Sequence, residues 1–182
     1  MTAHELIRAA GAARGDEEEV ARLAAAFFSA SADEPGDAEA REAALEELVT
    51  ALWEGFGRLD RPLLRVLTGL EVKARREKGG CGDSLPMLCF MLHQLGVKED
   101  VFLIYDAKHA NFDTGCMLDL DLFTMGHGRE EMRRFVADAL SAEPARRADY
   151  PHLQETLEAA FDNPQFESPE AFRQAMRSHF GD

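Results

Sequence analysis

The chain has 182 residues, 46% hydrophobic and 30% charged, a composition typical of a globular protein of one domain, or of one domain with a helical extension. Its 34 acidic and 20 basic residues give a net charge of −14 at pH 7, which argues against nucleic acid and anionic membranes as partners, because phosphate binding needs clusters of Lys and Arg. No apolar run approaches the ~20 residues that a helix needs to cross a bilayer.

The cysteines indicate a reducing compartment. Cys81, Cys89 and Cys116 form no CxxC pair, so neither a structural zinc site nor a disulfide framework is expected. The N-terminal residues turn acidic without an apolar core of signal-peptide length. We therefore predict a cytoplasmic protein.

The first 78 residues have the three- and four-residue apolar spacing of helices. Asp16 is a candidate N-cap followed by three glutamates, and Pro62 suits the first turn of a later helix. The predicted helices cover residues 3–13, 16–29, 37–56 and 60–78, with a break at Ser31–Gly36. We predict that residues 1–78 form a helical N-terminal segment and that residues 79–182 form an α+β core with C-terminal helices, as separate units or as one domain.

A basic cluster ends the last of these helices. Arg75, Arg76 and Lys78 have two interpretations, an anion-binding site or a solvated helix end that opposes the helix dipole.

A glycine turn that carries Cys81 follows this cluster. Asp83 or Ser84 can cap a helix over Ser84–Leu95, which Gly96 would close in the left-handed conformation. Cys81 then lies just before a helix N-terminus, where a thiol is stabilised as the nucleophilic thiolate.

The next stretch carries the strand signals of the chain. Val101–Tyr105 is a continuous apolar run of strand length. His109–Phe112 and Cys116–Phe123 flank Asp113-Thr114-Gly115, a three-residue loop ending in glycine that is common in β-hairpins. These segments predict a small, mainly antiparallel sheet packed on the Ser84–Leu95 helix.

The hairpin register decides which side chains meet. A three-residue loop places His109 opposite Asp119, within hydrogen-bonding reach across the ladder. A two-residue turn at Thr114-Gly115 instead places Leu120 opposite His109 and moves Asp119 to the other face. Asp119 and Asp121 alternate with leucines, which also fits a half-buried strand with a solvated polar face. In the first register Cys81, His109 and Asp119 would act as nucleophile, general base and orienting carboxylate.

The order of these elements resembles the papain-like superfamily of cysteine hydrolases, especially its transglutaminase-like branch. The resemblance implies a cysteine nucleophile that acts on an amide or ester through an acyl-thioenzyme. Two features depart from the family pattern: no Gln precedes Cys81, and Asn111 replaces an aromatic residue after His109. The matching segments are Gly79–Asp83, Leu95–Val97, His109–Phe112, Asp113–Gly115 and Met117–Asp119.

Three functional hypotheses follow. The first is a cysteine hydrolase or acyl transferase that uses no cofactor and acts on a peptide, a protein or a small amide or ester. The alternative is a non-catalytic α+β module for protein interaction or regulation. The third is a metal site built from His109, Asp119 and Asp121, with His127 as a further ligand, although no HExxH pair is present.

Overall fold

The computed structural model describes residues 1–13, 15–31 and 38–181, which fold into α-helices joined by short 3-10 segments and turns. None of the helices in these residues has both the length and the apolar character needed to cross a membrane. The 3-10 segments are Arg58–Asp60, Lys98–Asp100 and Leu120–Thr124. The helices are α1 (Ala3–Ala12), α2 (Glu17–Ser31), α3 (Ala38–Trp53), α4 (Arg61–Lys78), α5 (Ser84–Leu95), α6 (Val101–Lys108), α7 (Phe112–Met117), α8 (Arg129–Ala142), α9 (Pro144–Asp149), α10 (Leu153–Asp162) and α11 (Pro169–Phe180).

Local capping signals correctly predicted several helix ends. Asp16 Oδ1 accepts hydrogen bonds from the backbone N–H groups of Glu18 and Glu19, each at 3.1 Å. Gly96 closes α5 in the left-handed conformation, with φ of 65°. The predicted break over Ser31–Gly36 begins one residue too early, because Ser31 still belongs to α2. The rest of that break and the predicted helix start at Asp37 lie outside the described residues.

Helix α5 is the centre of the fold. Its ten residues from Ser84 to His93 are all buried, as expected of a helix that is apolar on every side. Met87, Leu88, Met91 and Leu92 pack into an N-terminal cluster with α1 to α4. Leu85, Cys89 and Phe90 belong instead to a C-terminal cluster with residues of α6, α8, α10 and α11. The division of the chain into a unit of residues 1–78 and a unit of residues 79–182 stays a prediction.

The strand predicted at Val101–Tyr105 is wrong, because these residues form the first part of α6. Val101, Ile104 and Tyr105 are buried together at helical spacing, whereas Leu103 is only partly buried. A short apolar run buries its residues equally well in a strand or in a helix, so its periodicity does not distinguish the two.

The hairpin predicted around Asp113-Thr114-Gly115 is wrong as well, since these residues lie inside α7. Asn111 Oδ1 accepts a hydrogen bond from Thr114 N–H, and Thr114 Oγ1 accepts one from Asn111 N–H, both at 3.0 Å. This reciprocal pair is a capping box, and it starts a helix where a turn was predicted. Neither hairpin register therefore exists.

These corrections overturn the predicted fold class. No β-strand occurs in residues 1–13, 15–31 or 38–181, so the expected α+β fold with a small antiparallel sheet is wrong. The resemblance to the papain-like and transglutaminase-like proteins is wrong with it, because it required His109 and Asp119 to face each other across paired strands. Throughout its described part, the fold is helical.

Candidate functional site

Cys81 lies in the turn that leads into α5, as predicted, but its environment differs from that of an activated thiol. The side chain is buried, and this burial raises the pKa of the thiol to about 11. The charge of Arg75 acts in the opposite direction, and the carboxylates of Asp83 and Asp113 raise the pKa further. The thiol is therefore protonated at neutral pH.

His109 and Asp119 occupy separate environments. His109 is exposed at the end of α6, where its ring stacks on Tyr105 at a centroid distance of 3.9 Å and its Nδ1 lies 2.9 Å from Tyr105 O. Asp119 is partly buried; burial raises its pKa, and the charge of Asp121 raises it further. Among the described residues, no hydrogen bond joins any two members of the predicted triad. Their catalytic roles stay a prediction.

Asn111 organises the region around Cys81. Besides capping α7, its Nδ2 donates hydrogen bonds to Arg75 O at 3.0 Å and to Gly80 O at 2.8 Å. Asp113 Oδ2 accepts a hydrogen bond from Gly80 N–H at 3.1 Å. Asn111 thus connects the end of α4, the glycine turn and the start of α7, and its neighbour Asp113 closes the turn.

Arg75 and Arg76 of the basic cluster are paired with carboxylates. Arg75 Nη2 lies 2.9 Å from Glu42 Oε1 and 3.0 Å from Glu71 Oε2, and Arg76 Nη2 lies 2.9 Å from Asp106 Oδ1. The Arg75 guanidinium also fills the space beside Gly82, where an added Cβ would lie 3.2 Å from Nη2. These pairs favour a structural role for the two arginines over anion binding.

The described residues contain no group of three or more His, Cys, Asp or Glu side chains arranged to hold a metal ion. His127, one of the hypothetical ligands, instead lies with Nε2 2.7 Å from Gly96 O and Nδ1 3.4 Å from Glu131 Oε1. The metal-site hypothesis therefore has no geometric support in this part of the chain.

A cavity of about 230 Å³ opens near the C-terminal end of α5. Its walls come from α5, the Leu120–Thr124 segment and the turn after it, α10, and the loop into α11. Phe161, Phe166 and Phe172 form the aromatic part, and the rings of Phe166 and Phe172 have centroids 5.1 Å apart. The remaining lining residues are His93, Asp121, Thr124, Gly126, His127, Ala160, Pro164, Glu167, Ser168 and Pro169.

His93 contributes a neutral imidazole to this cavity. The hydroxyl of Thr124 donates a hydrogen bond to Asp121 O at 2.8 Å. Its Oγ1 therefore accepts a hydrogen bond from His93 Nε2–H, at 3.3 Å. His93 Nδ1 then accepts from Gln94 Nε2 at 3.2 Å. Only 4% of His93 is exposed, and this burial lowers its pKa to about 4, with smaller contributions from the charges of Arg173 and His127.

Asp121 contributes a buried carboxylate with no cationic partner in the described part of the chain. It is 8% exposed, and Oδ2 accepts one hydrogen bond, from Gln165 N–H at 2.9 Å. Its Oδ1 accepts no hydrogen bond from any described residue. Arg129, one of the cations in this region, is bound to Asp162 at 2.7 Å. Oδ1 of Asp121 is not among the fully buried polar atoms that lack a partner, so this oxygen is the accessible part of an otherwise buried carboxylate.

Sequence reasoning did not find this cavity. From the sequence, Asp121 is expected on a solvated strand face, as the alternative to Asp119 in the triad, or as a metal ligand, and no function is expected of His93. The one available signal was a histidine and an aspartate in apolar surroundings, at His93 and Asp121. Nothing in the sequence places Phe166 beside them, because contacts between distant segments form only in the folded chain.

Comparison of the chain with protein-family models, with curated proteins and with solved structures finds no match. The function therefore has to be inferred from the cavity and its chemistry.

Proposed function

We propose that this protein binds a small organic molecule in the cavity lined by Phe161, Phe166 and Phe172. The observation that carries the proposal is the composition of the walls, which combine aromatic rings with a few polar groups from His93 and Asp121. Ligand sites in proteins have this composition, an apolar pocket with a small number of polar groups that fix orientation.

The size of the cavity limits the ligand. An apolar cavity of about 150 Å³ accommodates benzene, and this cavity measures about 230 Å³. Sites for drug-sized ligands occupy roughly 300–1,000 Å³. The cavity therefore suits one benzene-sized group with a short substituent.

The other functional hypotheses stay predictions. A cysteine hydrolase would need Cys81 to react well below the ordinary thiol pKa, whereas burial raises that pKa. Thiol alkylation against pH, in the wild type and in His109→Ala, tests that chemistry directly. The alternative of an interaction or regulatory module is favoured by α7, which leaves Phe112 and Met117 exposed at 83% and 58%. A ligand-binding cavity is compatible with a regulatory module.

A cytoplasmic location is part of this proposal. It is supported by the three cysteines, which are all free, with Cys116 exposed. Fractionation of cells that express the protein would test it.

The binding proposal is tested by protein-detected NMR titration with three probes that share one ring: benzyl alcohol, benzylamine and benzoate. We expect at least one probe to bind saturably at millimolar concentration and to shift the amide signals of Thr124, Gly126 and Ser168. In Ala160→Leu, the added side chain fills the cavity and should abolish binding. The control Ala142→Leu adds the same group at an exposed position and should leave binding unchanged.

Two results would overturn the proposal: no probe binds the folded wild type, or binding persists in folded Ala160→Leu. If that variant does not fold, Phe166→Ala replaces it, because Phe166 is only partly buried and its ring supplies one wall. Phe56→Ala removes a partly buried ring from the N-terminal cluster and is its matched control. Unchanged binding in Phe166→Ala would then reject the cavity as the site.

A further inference from the structure

The lining of the cavity is charged asymmetrically. Two of its side chains are carboxylates, those of Asp121 and Glu167, and no Lys or Arg belongs to the lining. The other titratable side chains of the lining are two imidazoles. His93 is held neutral by burial, and His127 already has partners of its own, with Nε2 2.7 Å from Gly96 O and Nδ1 3.4 Å from Glu131 Oε1. The polar part of the cavity therefore favours positive charge in a ligand.

Two basic residues close to the cavity lining, Arg129 beside Phe161 and Arg173 near His93, are already bound to other carboxylates. Arg129 pairs with Asp162, and Arg173 pairs with Glu170 at 2.5 Å. Arg173 lies close enough to lower the pKa of His93, but no ion pair joins it to Asp121 in the described part of the chain. Oδ1 of Asp121 thus keeps its capacity to accept a hydrogen bond from a bound cation.

From this arrangement we infer that the ligand is an organic ammonium ion carrying a small aromatic group, with Asp121 as the acceptor of its N–H protons. This inference rests on the proposed binding function and adds the chemical class of the ligand. Charge-assisted hydrogen bonds are stronger than neutral ones, and burial protects this bond from screening by salt.

The aromatic walls are suited to the same ligand. The face of a phenylalanine ring carries negative charge density and attracts cations. Phe161 already attracts a cation within the protein, since the guanidinium carbon of Arg129 lies 5.5 Å from the centroid of its ring. The ring of the ligand would pack against Phe166 and Phe172, while its ammonium group reaches Asp121. A net charge of −14 also attracts cations to the surface.

The test compares the affinities of benzylamine, benzyl alcohol and benzoate, measured by NMR titration at pH 7. We expect benzylamine, an ammonium ion at this pH, to bind at least about tenfold more tightly than benzyl alcohol, with benzoate weakest. Asp121→Asn keeps the shape of the side chain and one oxygen that can accept the hydrogen bond from Gln165 N–H. Because it removes the negative charge, it should remove the preference for benzylamine. Glu46→Gln removes one exposed charge from α3 and is the control for the overall negative charge.

Each outcome separates the two proposals. If benzyl alcohol binds as tightly as benzylamine and Ala160→Leu abolishes both, the cavity binds ligands but does not select cations, and the inference is overturned. If Glu46→Gln weakens benzylamine as much as Asp121→Asn does, the preference comes from the whole surface, and the inference is again overturned. If none of the probes binds, the proposed function itself fails.

Discussion

Two buried aspartates in this protein have opposite surroundings. Asp100, just before α6, is fully buried and accepts hydrogen bonds from Arg61 at 2.9 and 3.0 Å, and Arg65 is a second guanidinium partner. Asp121 is almost as deeply buried, yet it accepts only a backbone N–H from Gln165. The first carboxylate is neutralised by the chain itself, and the second is not.

The comparison separates a structural charge from a candidate binding charge. Burial of a carboxylate costs free energy unless hydrogen bonds and an opposite charge compensate for it. At Asp100 the compensation comes from α4, so this pair joins α4 to the start of α6. At Asp121 the described chain supplies no cation, and the carboxylate borders an open cavity. The same residue type thus lies in two different environments, and only the second leaves a carboxylate oxygen without a hydrogen bond from the described chain.

The largest effect on stability is expected for Asp100→Asn. The substitution leaves the partly buried Arg61 without its counter-charge and leaves Arg65 only its ion pair with Glu17, at 2.8 Å. Breaking a buried pair of this kind costs about 3–5 kcal/mol. The free energy of unfolding, measured by urea denaturation, should fall by that amount. A change close to zero would mean that the two arginines are fully solvated after the substitution. The ion pairs of Asp100 would then contribute nothing to stability.

The second prediction concerns His93 beside Asp121. Burial lowers its folded-state pKa to about 4, below the unfolded value of about 6.5. The unfolded chain therefore binds the proton more tightly between these values, and the free energy of unfolding decreases as pH falls from about 6.5 to about 4, by about 3 kcal/mol in total. Above pH 6.5 His93 contributes no pH dependence.

Urea denaturation across this pH range measures the effect by comparing the wild type with His93→Gln, which should have a flatter acid limb. The comparison is needed because Asp119 has a raised pKa, and its protonation favours the folded state in the acid range. His152→Gln, at an exposed position, is the control and should retain the slope of the wild type. Equal slopes in all three proteins would contradict a buried neutral His93.

The third prediction tests Asn111 at the other end of α5. Asn111→Ala removes the cap of α7 and two hydrogen bonds to backbone carbonyls. A lost cap costs about 1 kcal/mol, and each lost hydrogen bond a similar amount. Because Asn111 is only partly buried, we expect a total loss of about 2 kcal/mol in urea denaturation.

Asn111→Asp separates the two contributions, because it keeps the capping oxygen and loses the Nδ2 donor. Asn163→Ala is the control, since Asn163 is exposed and its side chain forms no hydrogen bond with the described residues. If Asn111→Ala is no more costly than Asn163→Ala, the connection among α4, the glycine turn and α7 contributes nothing to stability.

Asn111 also illustrates how far the sequence predicts this structure. The helix start at Asp16 and the helix end at Gly96 were predictable, because each depends on a cap within a few residues. The start of α7 has a similar local signal, with Asn111 three residues before Thr114. It was missed because Asp113-Thr114-Gly115 also matches a hairpin loop. The error at Val101–Tyr105 has a different cause, since burial of a short apolar run does not distinguish strand from helix.

The cavity could not have been predicted in this way. His93, Asp121, Phe161 and Phe172 belong to four segments that are distant in sequence. Their meeting depends on how α10 and α11 pack against α5 and the Leu120–Thr124 segment, and no local pattern encodes that packing. The predicted hairpin pairing of His109 with Asp119 was wrong for the converse reason, because it depended entirely on one assumed local turn.

The smallest effect on stability is expected for Asp121→Asn, and it completes the comparison with Asp100. The amide oxygen of asparagine can still accept the hydrogen bond from Gln165 N–H, and no described cation loses a partner. Replacing a buried charge by a neutral group of the same shape removes a desolvation cost, so the free energy of unfolding should change by less than about 1 kcal/mol, in either direction. Both aspartate variants are measured by urea denaturation under identical conditions. A loss as large as that of Asp100→Asn would show that Asp121 is paired with a cation of the folded chain, and a carboxylate already paired in this way would not be available to an ammonium ligand.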